Sequence, residues 1–314
     1  MQTSVSRGQA RTAPVVRRRK KVSVGRLISY IVVIAVAIVM MVPFIWAFSS
    51  ALKTNNDIFS YPPQFFPTAP HWEHFAQGWC SAIGGNTSDN CFTIFFPDAP
   101  TFTNFTINTL VIATLIVVGT VLSCVVVAYG FARFRFPGRN VLFLIMLSTM
   151  MIPYAVTLIP QYIFFSRIGW VNTILPLVVP AFFASPYFVF LLRQFFMSIP
   201  YDLDEAARID GAGSLRILMQ VLLPEVRPAV IAMSVLTFIG AWKDFLAPVV
   251  YLQDAAKYTI EVGLAQFHNA VAGQPRWDLL TAVSLVTMIP MIIIFFFSSR
   301  YIVEGVTLSG MGGN

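Results

Sequence analysis

The side chains of this chain that are spaced for chemistry gather in one polar stretch. Asp202, Asp204, Glu205 and Asp210 surround Ala206 and Ala207, and Gly211 and Ser214 follow. Asp202 is placed to cap a helix, with Glu205 three positions on in the spacing of a capping box. Asp204 and Glu205 also complement the positive end of the helix dipole. Small Ala206 and Ala207 let another surface come close. Gly211 supplies the stop, and Ser214 is placed to cap a second short helix through Val221, which Pro224 and Pro228 end. The chemistry of such a hairpin is recognition. An acidic first turn is repelled by anionic lipid, so a protein partner is expected in place of a lipid surface.

A second group is Trp242, Lys243, Asp244 and Phe245, near the middle of an otherwise apolar stretch. An ionisable side chain at that depth costs roughly 2.5 to 3.5 kcal/mol on insertion scales, so it faces a polar cavity or a partner charge. Neighbouring residues point about 100° apart on a helix, which favours separate partners over a mutual pair. The two charges line a polar path through the membrane, pair at a subunit interface, or occupy an unimportant interfacial position, while Trp242 and Phe245 offer faces for stacking. His71 and His74 share one side of a helical turn but lack a third ligand, so they read as a solvated loop pair and no metal is assigned. Cys80 and Cys91 form a disulfide if their loop lies in an oxidising compartment, and Cys124 stands apart from them.

Catalysis is not expected. There is no glycine-flanked serine elbow and no coherent carboxylate pair for acid and base work. The sequence holds no G-x-x-x-x-G-K-[ST] loop to cradle phosphates. This chain is therefore not expected to hydrolyse ATP or to bind a cofactor directly. The net charge of +7 is spread over segment ends and a basic run at Arg17 to Lys21, which suits anionic lipid and leaves no domain for nucleic acid.

The elements that must position these residues follow from composition. At 57% hydrophobic and 11% charged over 314 residues, the chain has too little polar surface to cover a soluble globule. Six stretches approach or exceed the roughly 20 apolar residues that cross a bilayer as a helix: Leu27 to Leu52, Leu110 to Phe131, Val141 to Phe165, Ile174 to Phe196, Ala229 to Leu252 and Leu279 to Phe297. Only helices satisfy their own backbone in lipid, so the fold class is all-α and polytopic, with six transmembrane helices. Lys and Arg cluster before the first span and after the second, fourth and sixth, which places both termini and residues 198–228 in the cytoplasm. The expected layout is a disordered basic tail at 1–26 and a six-helix body at 27–314. Within the body lie an outer loop at 53–109, the inner loop at 198–228 and an inner tail at 300–314. Prolines 153, 160, 176, 180, 186 and 248 fall within spans, where each frees a carbonyl and can kink its helix. A secondary transporter or channel would need repeated halves or a ring of filter residues, and neither is evident.

The run Glu205-Ala206-Ala207, three residues, Gly211, nine residues, Val221, one residue, Leu223-Pro224 resembles the EAA loop of importer permeases in the ATP-binding-cassette superfamily, with Val221 where isoleucine is usual. Leu191 to Phe196, Ile199-Pro200 and Ala207 to Ala212 are similar to its carbohydrate branch. So are Leu52-Lys53-Thr54, Asn108-Thr109-Leu110, Gly169 to Thr173 and Trp242 to Phe245. The end of the chain, Arg300 to Gly313, is similar to the tail of the maltose-type second permease, with Gly312 where lysine is common. The resemblance implies a plasma-membrane subunit that pairs with a second homologous permease, an ATPase dimer using ATP and magnesium, and an extracellular solute-binding protein. It implies coupling to the ATPase through Asp202, Glu205, Ala206, Ala207, Asp210, Gly211, Leu223 and Pro224. It also implies a tail contact through Gly305, Thr307, Gly310 and Gly313, and a cargo of sugar or a derivative such as glycerol phosphate.

Overall fold

The computed structural model describes residues 24–80, 101–267 and 275–310, with 300–310 as backbone alone. Every regular element among the described residues is helical. The chain divides into the units Met1–Trp46 and Ala47–Asn314. Helix α1 (Val24–Ala51) has no charged residue after Arg26 and is long enough to span a bilayer. In the second unit, α2 (Asn55–Ile58) and α3 (Glu73–Cys80) precede α4 (Phe102–Arg133). A capping box between Thr101 and Asn104 starts α4, which contains no proline and runs unbroken for 32 residues. Beyond it come α5 (Arg139–Ser148), α6 (Tyr154–Arg167), α7 (Leu175–Val178) and α8 (Pro186–Ser198), then α9 (Asp202–Ile209), α10 (Ser214–Ile217) and α11 (Leu223–Glu225). The chain closes with α12 (Arg227–Trp242), α13 (Leu246–Tyr251), α14 (Ile260–Gln266) and α15 (Trp277–Gly310).

Four stretches are long and apolar enough to cross a membrane unaided: Gly25–Ala51, Phe102–Arg133, Leu175–Ser198 and Trp277–Ser299. Six result if two bent pairs each count as one span. These are α5 with α6, which turn by 97° at Pro153, and the α10–α11 stretch with α12, which turn by 82° at Val226. The fifth predicted span, Ala229 to Leu252, is therefore not one helix. It breaks after Trp242 because Pro248 has no N–H to give the carbonyl of Asp244, and the chain restarts as α13.

Helix α4 is the centre of the second unit. Cys124, Ala128 and Tyr129 from it meet Val189, Leu192 and Phe196 of α8, together with Ile217, Leu222 and Met233. Toward its other end, Phe102 and Phe105 meet Trp242, Ile260 and Val283. In lipid there is no water to expel between helices, so close packing of this kind and hydrogen bonds hold them. The segments that resemble carbohydrate permeases act as clasps. Asn108 donates to the carbonyls of Ala256 (2.8 Å) and Tyr258 (3.0 Å), and Thr109 Oγ1 accepts from the amide of Ile260 at 2.9 Å. Asn172 Oδ1 accepts from the amides of Gln253 and Asp254 at 3.2 and 3.0 Å.

Helix α3 lies on α15 through Gly78. A Cβ there would stand 2.7 Å from Val283 Cγ2 and 3.2 Å from the carbonyl oxygen of Leu279. Gly78→Val is expected to destabilise the chain by about 1–3 kcal/mol through overpacking, read as a lower melting temperature in detergent. An unchanged melting temperature would contradict this seating. His74 on the same helix is buried, not solvated as its loop position implied. Lys53, at the start of the expected outer loop, is also buried and donates to the carbonyls of Gln64 and Phe65. Cys80 is disulfide-bonded, and Cys91 lies outside the described residues. Cys124 is a free thiol buried in the core.

Candidate functional site

The polar stretch after α8 folds as the expected pair of short helices, but it starts differently. Asp202 is the first helical residue, not the cap. Tyr201 holds the cap position with helical backbone angles and no side-chain cap bond. Its carbonyl accepts from the amides of Asp204 (2.9 Å) and Glu205 (3.1 Å). The capping box between Asp202 and Glu205 is therefore not made, because Tyr201 is fixed by contacts of its own. Its hydroxyl donates to the carbonyl of Arg133 at 3.0 Å, and the Arg133 guanidinium sits 4.6 Å from its ring centre.

Arg133, the last residue of α4, ties the hairpin down. Its Nε lies 2.8 Å from Oδ2 of Asp204, with both side chains 2% exposed, and its Nη2 donates to the carbonyl of Ile199 at 3.1 Å. The ion pair is close without hydrogen-bond alignment, since Nε, Nη1 and both Asp204 oxygens are buried with no hydrogen-bond partner. One turn back on the same helix, the Tyr129 hydroxyl donates to the carbonyl of Ser214 at 3.1 Å. Both arms of the hairpin are thus fastened to the end of α4. Sequence reasoning assigned Asp204 to the helix dipole and Arg133 to the charge bias across the membrane. No local pattern links residues so far apart in the chain.

The turn behaves as its glycine implies. The Gly211 amide donates to the carbonyl of Arg208 (3.0 Å) and the Ala212 amide to that of Ala207 (2.9 Å), which is a Schellman closure with Gly211 at a φ of 81°. Ser214 is not the cap of the second helix. Gly213 holds that position, and Ser214 is the first residue of α10. Pro224 and Pro228 do not end helices either. Pro228 lies in the first turn of α12, where its missing N–H costs nothing, and Pro224 lies within the continuous helical run Ser214–Glu225, just before the 82° bend. Between α10 and α11, residues Leu218–Leu222 form a π-helical turn that brings Leu218 and Leu222 into the core.

What the hairpin presents outward is Asp202, Glu205, Ala206, Arg208, Asp210 and Gly211, all exposed. Beside them stand Ile209 at 86% and Leu215 at 71% exposure. Two large apolar side chains therefore stand among charged ones at the turn. Leu223 is half-buried against the core and Pro224 is exposed behind the hairpin.

The second group is placed at the break between α12 and α13. Trp242 is turned inward, 3% exposed and stacked on Phe238 at 5.6 Å, so it presents no face to a path. Lys243 and Phe245 are exposed and Asp244 is half-buried. Asp244 Oδ1 accepts from the amide of Ala247 at 3.3 Å, capping α13, and Lys243 lies within electrostatic reach of Glu261 on α14. Both residues sit in the break and not within one helix, so the 100° offset of helical neighbours does not govern their directions. In the tail, α15 continues through Gly305, Thr307 and Gly310, and Gly313 lies outside the described residues.

A family model described as the binding-protein-dependent transport system inner membrane component matches residues 119–308. The diacetylchitobiose uptake system permease protein NgcG of Streptomyces coelicolor is 29% identical, over 89% of this chain and 87% of its own length. The sn-glycerol-3-phosphate transport system permease protein UgpE of Yersinia pestis is also 29% identical, over 88% and 94%. Among solved structures, a chain of a bacterial transporter involved in import of the acidic polysaccharide alginate superposes with a TM-score of 0.72 at 21% identity. That match covers 88% of this chain and 95% of the other, and it shows the shared fold.

Proposed function

The chain belongs to the family of binding-protein-dependent transport system inner membrane components, and from that membership we propose that it is one of two homologous permeases in an ATP-driven sugar importer. It is a multi-pass, non-catalytic component of the bacterial inner membrane. The observation that carries the proposal is the hairpin Asp202 to Gly211, exposed at its tip and fastened at its base to α4 through Arg133 and Tyr129. A separate ATPase subunit grips Glu205, Ala206, Ala207 and Asp210. Closure of the ATPase dimer on ATP moves the hairpin as one piece and tilts the helices joined to it, switching access between the membrane faces. Binding of cargo and of nucleotide are then reciprocally coupled. The tail residues Gly305, Thr307, Gly310 and Gly313 make a second contact with the ATPase, and Cys80 pairs with Cys91 to hold the outer lobe.

Sugar cargo is supported by the relative named for diacetylchitobiose, and an anionic derivative by the one named for sn-glycerol 3-phosphate. The exposed ammonium of Lys243 favours an anionic derivative as the second reading, since a positive charge beside a path raises the local concentration of anions. Reconstitution with the sister permease, ATPase and binding protein is expected to give accumulation of one labelled sugar from a panel, only when ATP is inside and binding protein outside. Uptake driven by an ion gradient without ATP would replace this reading with a secondary transporter.

A further inference from the structure

His71 and His74 find in the fold the third ligand that their spacing alone did not offer. His71, Glu73 and His74 each bring a donor atom within 4.8 Å of the other two. His71 Nδ1 stands 2.6 Å from Oε1 of Glu73, and the two imidazoles stack at 5.2 Å, 16° from parallel. His74 is 6% exposed and its Nδ1 lies 3.1 Å from the carbonyl of Ala51. A ring nitrogen donating to a backbone carbonyl fixes the tautomer and leaves Nε2 as the lone-pair atom, the arrangement that orients metal-ligating histidines. The Oδ2 of Asp278 is 3.7 Å from that Nε2, while Arg276 holds the same carboxylate through bonds of 3.0 and 2.8 Å. Arg276 thus fixes this carboxylate beside the His74 ligand atom, within reach of an ion held there.

We infer that His71, Glu73 and His74 form a three-ligand site for a divalent transition ion such as zinc, with the Asp278 carboxylate or a water completing a tetrahedron. The donor set, two imidazoles and one carboxylate with a fourth position open, is one that zinc takes. Zinc bonds of 2.0 to 2.2 Å at a tetrahedral centre separate the ligand atoms by about 3.3 Å. The present spread of up to 4.8 Å closes when half-buried His71 turns out of its stack on His74, which brings both in-plane lone pairs to one point, and exposed Glu73 follows. Because His74 is rooted against Ala51 and beside Asp278 on α15, an ion here pins the start of α3 to the start of α15. This site is independent of the transport reading.

The test is titration of the full-length, tag-free chain in detergent, without reductant, using zinc for affinity and cobalt for its tetrahedral absorption bands. One ion per chain is expected, with a raised melting temperature at saturation. His74→Gln is expected to weaken binding by roughly 100-fold or more, and the changes at the more accessible ligands, His71→Ala and Glu73→Gln, by at least about tenfold. The latter two keep the test valid if His74→Gln does not fold. No stoichiometric binding, or binding that survives both His71→Ala and Glu73→Gln, would overturn the site and leave the cluster holding a proton instead.

Discussion

Arg133→Met is expected to release the hairpin from α4 and to abolish transport while leaving the helices inserted. Removing one member of a buried ion pair strands the other charge, which costs about 3–5 kcal/mol. Here Asp204 would be left at 2% exposure with no other cation among its described contacts. The same change removes the bond to the Ile199 carbonyl and the cation over the Tyr201 ring. Arg133→Lys is not conservative at this position, because an ammonium cannot reach all three partners from one plane. The pair lacks hydrogen-bond alignment, so Arg133→Met with Asp204→Leu is expected to recover most of the stability that the single change loses. Melting temperature and protease cleavage near residue 205 separate these outcomes. Wild-type melting and transport in Arg133→Met alone would show that the pair holds nothing.

Gly211→Val should separate ATP hydrolysis from cargo movement. At a φ of 81° an L-residue pays about 1–2 kcal/mol, and a β-branched one more. No atom lies within 4 Å of where a Cβ would stand, so the penalty is backbone strain alone and not a clash. At about 2 kcal/mol the closed turn becomes roughly 30-fold less populated. Ile209 and Asp210, which flank the turn, lose their fixed directions with it. The expected result in proteoliposomes is an intact complex whose ATPase no longer responds to loaded binding protein, with Gly211→Ala between wild type and Gly211→Val. Normal transport by Gly211→Val in an assembled complex would remove the hairpin from the coupling path.

These two residues also mark what the sequence made legible. Gly211 was readable because its requirement is local: a helix stop needs positive φ, and glycine meets it without strain. The apolar runs were readable for a similar reason, since bilayer thickness imposes one length on all of them. Arg133 with Asp204, and Tyr129 with Ser214, were not, because they join distant segments and leave no periodic trace. The cap at Tyr201 was misread because a tertiary contact overrode the local preference for Asp202. The continuity of the fifth span was misread because hydropathy averages over the break that Pro248 imposes at Lys243 and Asp244. His71 and His74 were half-readable, with Glu73 two residues from the first and adjacent to the second, but the burial of His74 depends on α15.

The uninterrupted course of α4 has a geometrical consequence. At 1.5 Å per residue its 32 residues measure roughly 48 Å, more than the hydrocarbon thickness it must traverse. Its foot grips the hairpin through Arg133, and near its head Asn108 and Thr109 grip the loop before α14. A push at one end therefore arrives at the other along a single hydrogen-bonded rod, with no joint in which the stroke can be absorbed.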